Sequence, residues 1–250
     1  MKHFIQSASL LSSLTLTAVS ENATASTPTM NPTSIEAQTI ATIEPTNPES
    51  WEISFESLSP VSLIGLPGET EEALREPATA KFARKEEALW IFVEVEDHHL
   101  YNNSTRFNDL IYRFGDTIEV FLEVNESEDY LEFHFSPENQ RLQLYWDEDG
   151  RTRRMERRLD LNKLYMEDPN ILESFTDVDG KQWHLLIKIP LELLGIEPGS
   201  AATIAASVCR YNYHTDETFT LSSTSPHTKP DFHQKSDWIK LSLPTPATEQ

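Results

Sequence analysis

Period-two alternation of apolar and polar residues recurs in seven runs, helical signals are confined to two short segments, and the folded stretch is sized for one domain. These observations predict an all-β fold, an antiparallel β-sandwich of jelly-roll or immunoglobulin-like type with short helical turns. The runs are 89–96, 117–124, 130–136, 142–146, 183–190, 203–211 and 238–243. The helical signals are 68–75 and the turn PLELLG, where Pro190 suits a first turn and Gly195 a stop.

The ends of the chain read differently from its middle. Residues 1–25 combine a basic start at Lys2, an apolar run from Phe4 to Val19 and small residues around Ala23-Thr24-Ala25 or Ala18-Val19-Ser20. This is the pattern of a secretory signal peptide, with an uncleaved anchor as the alternative. Residues 26–47 are rich in Thr, Pro, Ser and Asn, and are expected to be a disordered linker ahead of a domain at 48–243 and a tail at 244–250. The expected location is secreted or periplasmic, and no stretch outside the leader is apolar enough to insert in a membrane.

A formal charge of -21, from 41 acidic and 20 basic residues, argues against nucleic acid and anionic membranes as partners. The single cysteine, Cys209, rules out an intramolecular disulfide and reads as a buried small hydrophobe. The sequence has no phosphate loop, no dinucleotide fingerprint and no nucleophile elbow, and its histidines do not assemble a zinc site: His98 and His99 are adjacent, and His214, His227 and His233 lack tight ligand spacing.

Within the runs, alternation separates two sets of side chains. Leu89, Ile91, Val93 and Val95 face one way, with Trp90, Phe92, Glu94 and Glu96 opposite. Leu131, Phe133 and Phe135 oppose Tyr130, Glu132 and His134. Together with Glu119, Phe121 and Glu123, the second sets predict a sheet face that mixes aromatics with carboxylates, and Arg210 and Asn212 share a parity that brings them to that face or its rim. Such a face suits a sugar, whose ring stacks on aromatics while its hydroxyls meet polar groups. The plainer reading is a solvated sheet surface. Trp146, Tyr145, Glu119, Glu132, His134, Arg210 and Asn212 are the candidate sugar contacts, whereas Trp183 alternates with core residues.

Asp116 and Glu119 open the run GDTIEVFLEV three residues apart, so they point to opposite faces and do not line one cleft as a glycosidase pair must. Asp97 and Asp116, with nearby Asn102, Asn103 or Asn108, are candidate ligands for a structural calcium ion, which gathers oxygen donors from loops. A purely structural Asp116 that organises the strand entry is the competing reading. The run RTRRMERRLD gathers Arg151, Arg153, Arg154, Arg157 and Arg158 and reads as a solvated strand offsetting acidic loops, or as a contact for anionic glycans.

The serial order of LWIFVEVEDHHL, GDTIEVFLEV, YLEFHFSPEN, QWHLLIKIPLELLG, CRYNY and DFHQKSDWIKLSL resembles that of carbohydrate-binding module family 9-like domains. The resemblance implies a β-sandwich that binds a poly- or oligosaccharide without cleaving it, and so is not an enzyme, although a separate glycan-degrading enzyme is an expected partner in polysaccharide catabolism. It also implies polar roles for Asp97, Asp116, Glu119 and Arg210, a position for His233, and structural calcium in some members. Related sandwiches bind haem, for which Met155, Met166 and Lys188 are conceivable ligands here, but the Arg-rich surroundings of Met155 are unlike a haem pocket. A cell-surface module that binds protein is a further alternative.

Overall fold

A computed structural model describes residues 33–40, 42–70, 76–215 and 218–246. The expected signal peptide lies outside them. The first strands along the chain are β1 (Ser34–Glu36), β2 (Gln38–Thr39), β3 (Val61–Ser62), β4 (Ile64–Gly65), β5 (Ala78–Lys85) and β6 (Ala88–Glu96). They are followed by β7 (Thr117–Glu123), β8 (Tyr130–Phe135), β9 (Arg141–Trp146), β10 (Glu173–Asp179), β11 (Gln182–Pro190), β12 (Ala202–Tyr213), β13 (Phe219–Ser223) and β14 (Ile239–Leu243). The first sheet runs β1-β14-β12-β7-β8-β9, with β13 on β12 and β4 on β13. The second runs β10-β11-β6-β5-β2, with β3 also on β5. Among the described residues only β1 and β2 pair in parallel, so the prediction of an antiparallel sandwich holds for the body of both sheets.

Alternation dictates what lies between the sheets. Ile118, Val120 and Leu122 of β7 and Leu131, Phe133 and Phe135 of β8 meet Leu89, Ile91, Val93 and Val95 of β6 and Trp183, Leu185, Ile187 and Ile189 of β11 in one buried core. Each such side chain, fully buried, contributes roughly 1.5–3 kcal/mol of hydrophobic stabilisation. The turn Gly180-Lys181 closes the β10–β11 hairpin, with Gly180 at a φ of 62°, so the acidic DVDG segment is a strand end and turn.

Trp90 and Phe92 do not share a face with Glu119 and Glu132, contrary to the sequence reading. Strand β6 pairs with β5 and β11 in the second sheet, while β7 and β8 belong to the first. The outward face of the second sheet is covered by helix α1 (Pro48–Phe55), whose buried Trp51 and Phe55 pack on Phe92 at ring separations of 6.4 and 5.3 Å. The predicted linker is also revised. Ser34–Glu36 pairs with β14, Gln38–Thr39 pairs with β5, and Ala37 and Ile40 are buried, so ordered structure begins well ahead of 48.

The arginine-rich run is not a strand. Part of it forms helix α2 (Glu148–Met155), capped by Asp147, whose side chain accepts from the Gly150 N–H at 2.8 Å. Glu148 and Asp149 at its start and Arg153 and Arg154 at its end complement the helix dipole. The PLELLG turn is a 3-10 helix over Leu191–Leu194, with Pro190 preceding it and Gly195 in the left-handed conformation at its end.

Gly115 fixes the entry to β7. Its φ is +142°, and a Cβ there would lie 2.1 Å from the Tyr101 carbonyl oxygen. Gly115→Ala is therefore expected to cost about 2–4 kcal/mol, the scale of backbone strain combined with a steric clash. Urea denaturation of both forms checks this, and equal midpoints would refute it.

Candidate functional site

The outward face of the first sheet meets a second, smaller core rather than open water. Phe121, Tyr130, Leu144 and Trp146 on that face pack against Phe232 and Trp238 from the segment before β14. Between face and cover lies a cavity of about 300 Å³. Glu119, Glu132, His134 and Trp146 line it, together with Tyr112, Tyr211, Phe232 and His233.

Strand pairing brings the polar groups together. Glu119 lies directly opposite His134, and Glu132, two residues before His134, shares its face. All three are buried, at 3%, 4% and 1% exposure, which removes the solvated-surface reading. His134 Nε2 lies 2.6 Å from Glu132 Oε1, and His134 Nδ1 lies 3.3 Å from Glu119 Oε1. The other Glu132 oxygen accepts from Trp146 Nε1 at 2.5 Å. Trp146 stacks on Tyr130 with ring centroids 5.7 Å apart and planes 15° apart, so it is part of the cavity wall and not a free-standing platform.

Burial sets the electrostatics of this cluster. It pushes the Glu119 carboxyl up to about 8, with His134 opposing the shift and Glu132 adding to it. Burial also acts to raise Glu132, but the His233 and His134 imidazoles and the Trp146 N–H outweigh it and hold that carboxyl below its usual range. Burial disfavours a charged His134, yet the two carboxylates raise its pKa. His233 moves the other way, to about 4, because burial outweighs the pull of Glu132. The floor of the cavity therefore favours a protonated Glu119 beside an anionic Glu132.

The remaining candidates lie elsewhere. Tyr145 points to the opposite face of its strand, packs on the inter-sheet core and donates its hydroxyl to Asp129 at 3.0 Å. Arg210 and Asn212 also leave the cavity face, because Cys209, not Arg210, is the residue of β12 paired opposite Glu119. Arg210 lies at one end of the sandwich, where Nη2 is 2.9 Å from Asp97 Oδ2 and Nη1 donates to the Glu76 carbonyl at 2.7 Å. Asn212 donates to Glu76 Oε2 at 2.9 Å.

The expected calcium ligands belong to the same clamp. Asp97 takes the His99 N–H on one oxygen and Arg210 on the other. Asp116 takes the N–H groups of Tyr101 and Tyr213, at 2.9 and 2.8 Å. Every oxygen of the two carboxylates accepts a hydrogen bond from the protein. They tie β6, the loop before β7 and the end of β12 together, which is the strand-organising role that competed with the metal reading.

The family 9 resemblance gives His233 a position without a role. It lies in the cavity wall, 4.9 Å from the Trp146 ring, with Nδ1 2.8 Å from the Tyr130 hydroxyl. Tyr112 was not singled out by the sequence. It sits in a 3-10 helix, Ile111–Arg113, 5.7 Å from His134 and 5.6 Å from Tyr211. Of the arginine run, Arg154 reaches the cavity lining, where its Nη2 is held 2.7 Å from Asp231.

No protein-family model and no curated protein matches the sequence. Solved structures do. A proposed carbohydrate-binding protein from Bacteroides uniformis aligns with a TM-score of 0.66 at 12% identity, over 84% of this chain and 98% of its own. A carbohydrate-binding module of family 9 from Caldicellulosiruptor kristjanssonii, in complex with cellotriose, aligns with a TM-score of 0.59 at 12% identity, over 86% and 95%. A glucose complex of a family 9 module from the same organism gives 0.58 at 13% identity, over 86% and 98%. The class defined by the fold is thus a two-sheet β-sandwich. Its particular form is like that of carbohydrate-binding module family 9.

Two outcomes test the clamp. Arg210→Met leaves Asp97 buried without its cation and should cost about 3–5 kcal/mol in denaturant unfolding; a change below 1 kcal/mol would refute the pairing. Burial and the Asp97 charge push the Asp116 carboxyl from 3.8 up to about 7. Between those values the folded chain keeps a proton that the unfolded chain has lost, so this group's contribution to stability falls as pH rises through the window. The stability of wild type relative to Asp116→Asn should decline from about pH 4 to pH 7; a constant difference in urea unfolding across that range would contradict it.

Proposed function

We propose that this chain binds carbohydrate without cleaving it, in the cavity between the first sheet and its cover. The observation that carries this reading is the lining. Aromatic rings at Tyr112, Tyr211 and Trp146 stand around a polar floor of Glu119, Glu132 and His134, the mixture that a sugar's apolar faces and hydroxyls require. The sandwich form shared with sugar-bound family 9 modules supports it.

Binding without hydrolysis follows from the same geometry. A glycosidase places two carboxyl groups on either side of the scissile bond. Here the His134 ring stands between them, 2.6 Å from one and 3.3 Å from the other, where the glycosidic oxygen would have to lie. Haem finds less support than sugar. Met155 is 75% exposed on α2, Met166 packs against the inter-sheet core, and Lys188 pairs with Glu173 on the second sheet.

Export, service to a separate glycan-degrading enzyme and a role in polysaccharide catabolism complete the proposal. They rest on the composition of residues 1–25 and on the family 9 resemblance.

Tyr112→Ala should weaken binding of glucose or cello-oligosaccharides about tenfold, the equivalent of one lost stacking contact, while leaving the unfolding midpoint within the range of surface substitutions. Isothermal titration checks it. The absence of heat with any neutral sugar for wild type would overturn the proposal, as would affinity unchanged by the substitution.

A further inference from the structure

We infer that Glu119 and His134, with Glu132 orienting the imidazole, form a site for a divalent transition-metal cation at the floor of the cavity. One donor atom from each residue lies within 4.8 Å of the others. His134 Nδ1 and Glu119 Oε1, 3.3 Å apart, already stand at about the separation of two ligands bonded at about 2.0–2.2 Å to one tetrahedral ion, with Glu132 behind the imidazole. The three residues sit on the paired strands β7 and β8, whose backbone fixes their spacing.

A second observation points to a ligand. His134 Nδ1 is buried and makes no hydrogen bond, although Glu119 Oε1 is only 3.3 Å away. An orphaned ring nitrogen in so enclosed a place is costly unless something takes its lone pair. The opposite nitrogen explains the tautomer. Donation from Nε2–H to Glu132 at 2.6 Å leaves Nδ1 as the free donor, the arrangement that orients metal-bound imidazoles. Glu132, on the far side of the ring, therefore orients the imidazole and does not bind the ion itself. The Trp146 N–H holds that carboxylate in place.

The donor set selects the cation. One imidazole with a carboxylate and water suits zinc, manganese or ferrous iron, whereas calcium asks for six to eight oxygens. A bound cation takes the place of the proton on Glu119 and offsets the excess of carboxylate over imidazole. The cavity leaves the remaining coordination positions open to water or to a hydroxyl-bearing ligand. The site does not depend on the sugar proposal, because its test contains no sugar.

The full chain, stripped with chelator, is titrated calorimetrically with zinc and separately with manganese, and the metal retained after desalting is measured. The expected result is one ion of at least one of the two per chain. Retention should fall at least a hundredfold in Glu119→Gln and in His134→Gln and stay unchanged in His98→Gln, a control outside the cavity lining. Absence of stoichiometric uptake of both metals overturns the inference, as does uptake that survives both cavity substitutions. If either cavity variant fails to fold, X-ray absorption on the metal-loaded wild type decides. One imidazole among oxygen donors supports the site, and two or more imidazoles refute it.

Discussion

All residues of β7 and β8 are buried, so their outward side chains must find partners without bulk water. Apolar members do so by packing under Phe232 and Trp238. The polar members make the region distinctive. Glu123 accepts from the Ala205 N–H at 2.7 Å and pairs with Lys235 at 2.8 Å, whereas Glu119 and Glu132 share His134. A sheet that was wet on this side would need none of these pairs. The cavity exists because the cover closes over the first sheet without filling the space above Glu119 and His134.

The seven strands visible in the sequence are those rich in large aliphatic and aromatic residues, and each recurs in the structure within a residue or two. Strand β5 escaped because ATAKFARK alternates on alanine, a weak apolar signal in a composition that also suits helices. Strands β10 and β13 are short or half-exposed, so their alternation is diluted. Helix α2 has almost no apolar stripe. It is held instead by the Asp147 cap and by ion pairs from Arg151 to Asp129 and from Arg154 to Asp231, which are legible only in three dimensions.

The site was half legible for a related reason. Parity within a strand states which residues share a face, but not which face they share with a neighbouring strand. Glu119, Glu132, His134 and Trp146 were grouped correctly because their strands are consecutive neighbours. Arg210 and Asn212 were misplaced because β12 joins β7 across a long separation in sequence, with a register that sets Cys209 opposite Glu119. The result is two charged clusters on opposite sides of one sheet: the cavity floor, and the Arg210–Asp97 clamp with its neighbour Asp116. Tyr112 and His233 come from turns, where no period marks a residue as facing a cavity.

The N-terminal segment 34–39 runs along the rim of the sandwich, with β1 added to β14 in one sheet and β2 added to β5 in the other. Each addition supplies partners to backbone N–H and C=O groups that an open edge would offer to any other extended chain. A strand edge of that kind is a template for self-association. These few residues therefore act as a selvedge, binding off one edge of each sheet against extension by another chain.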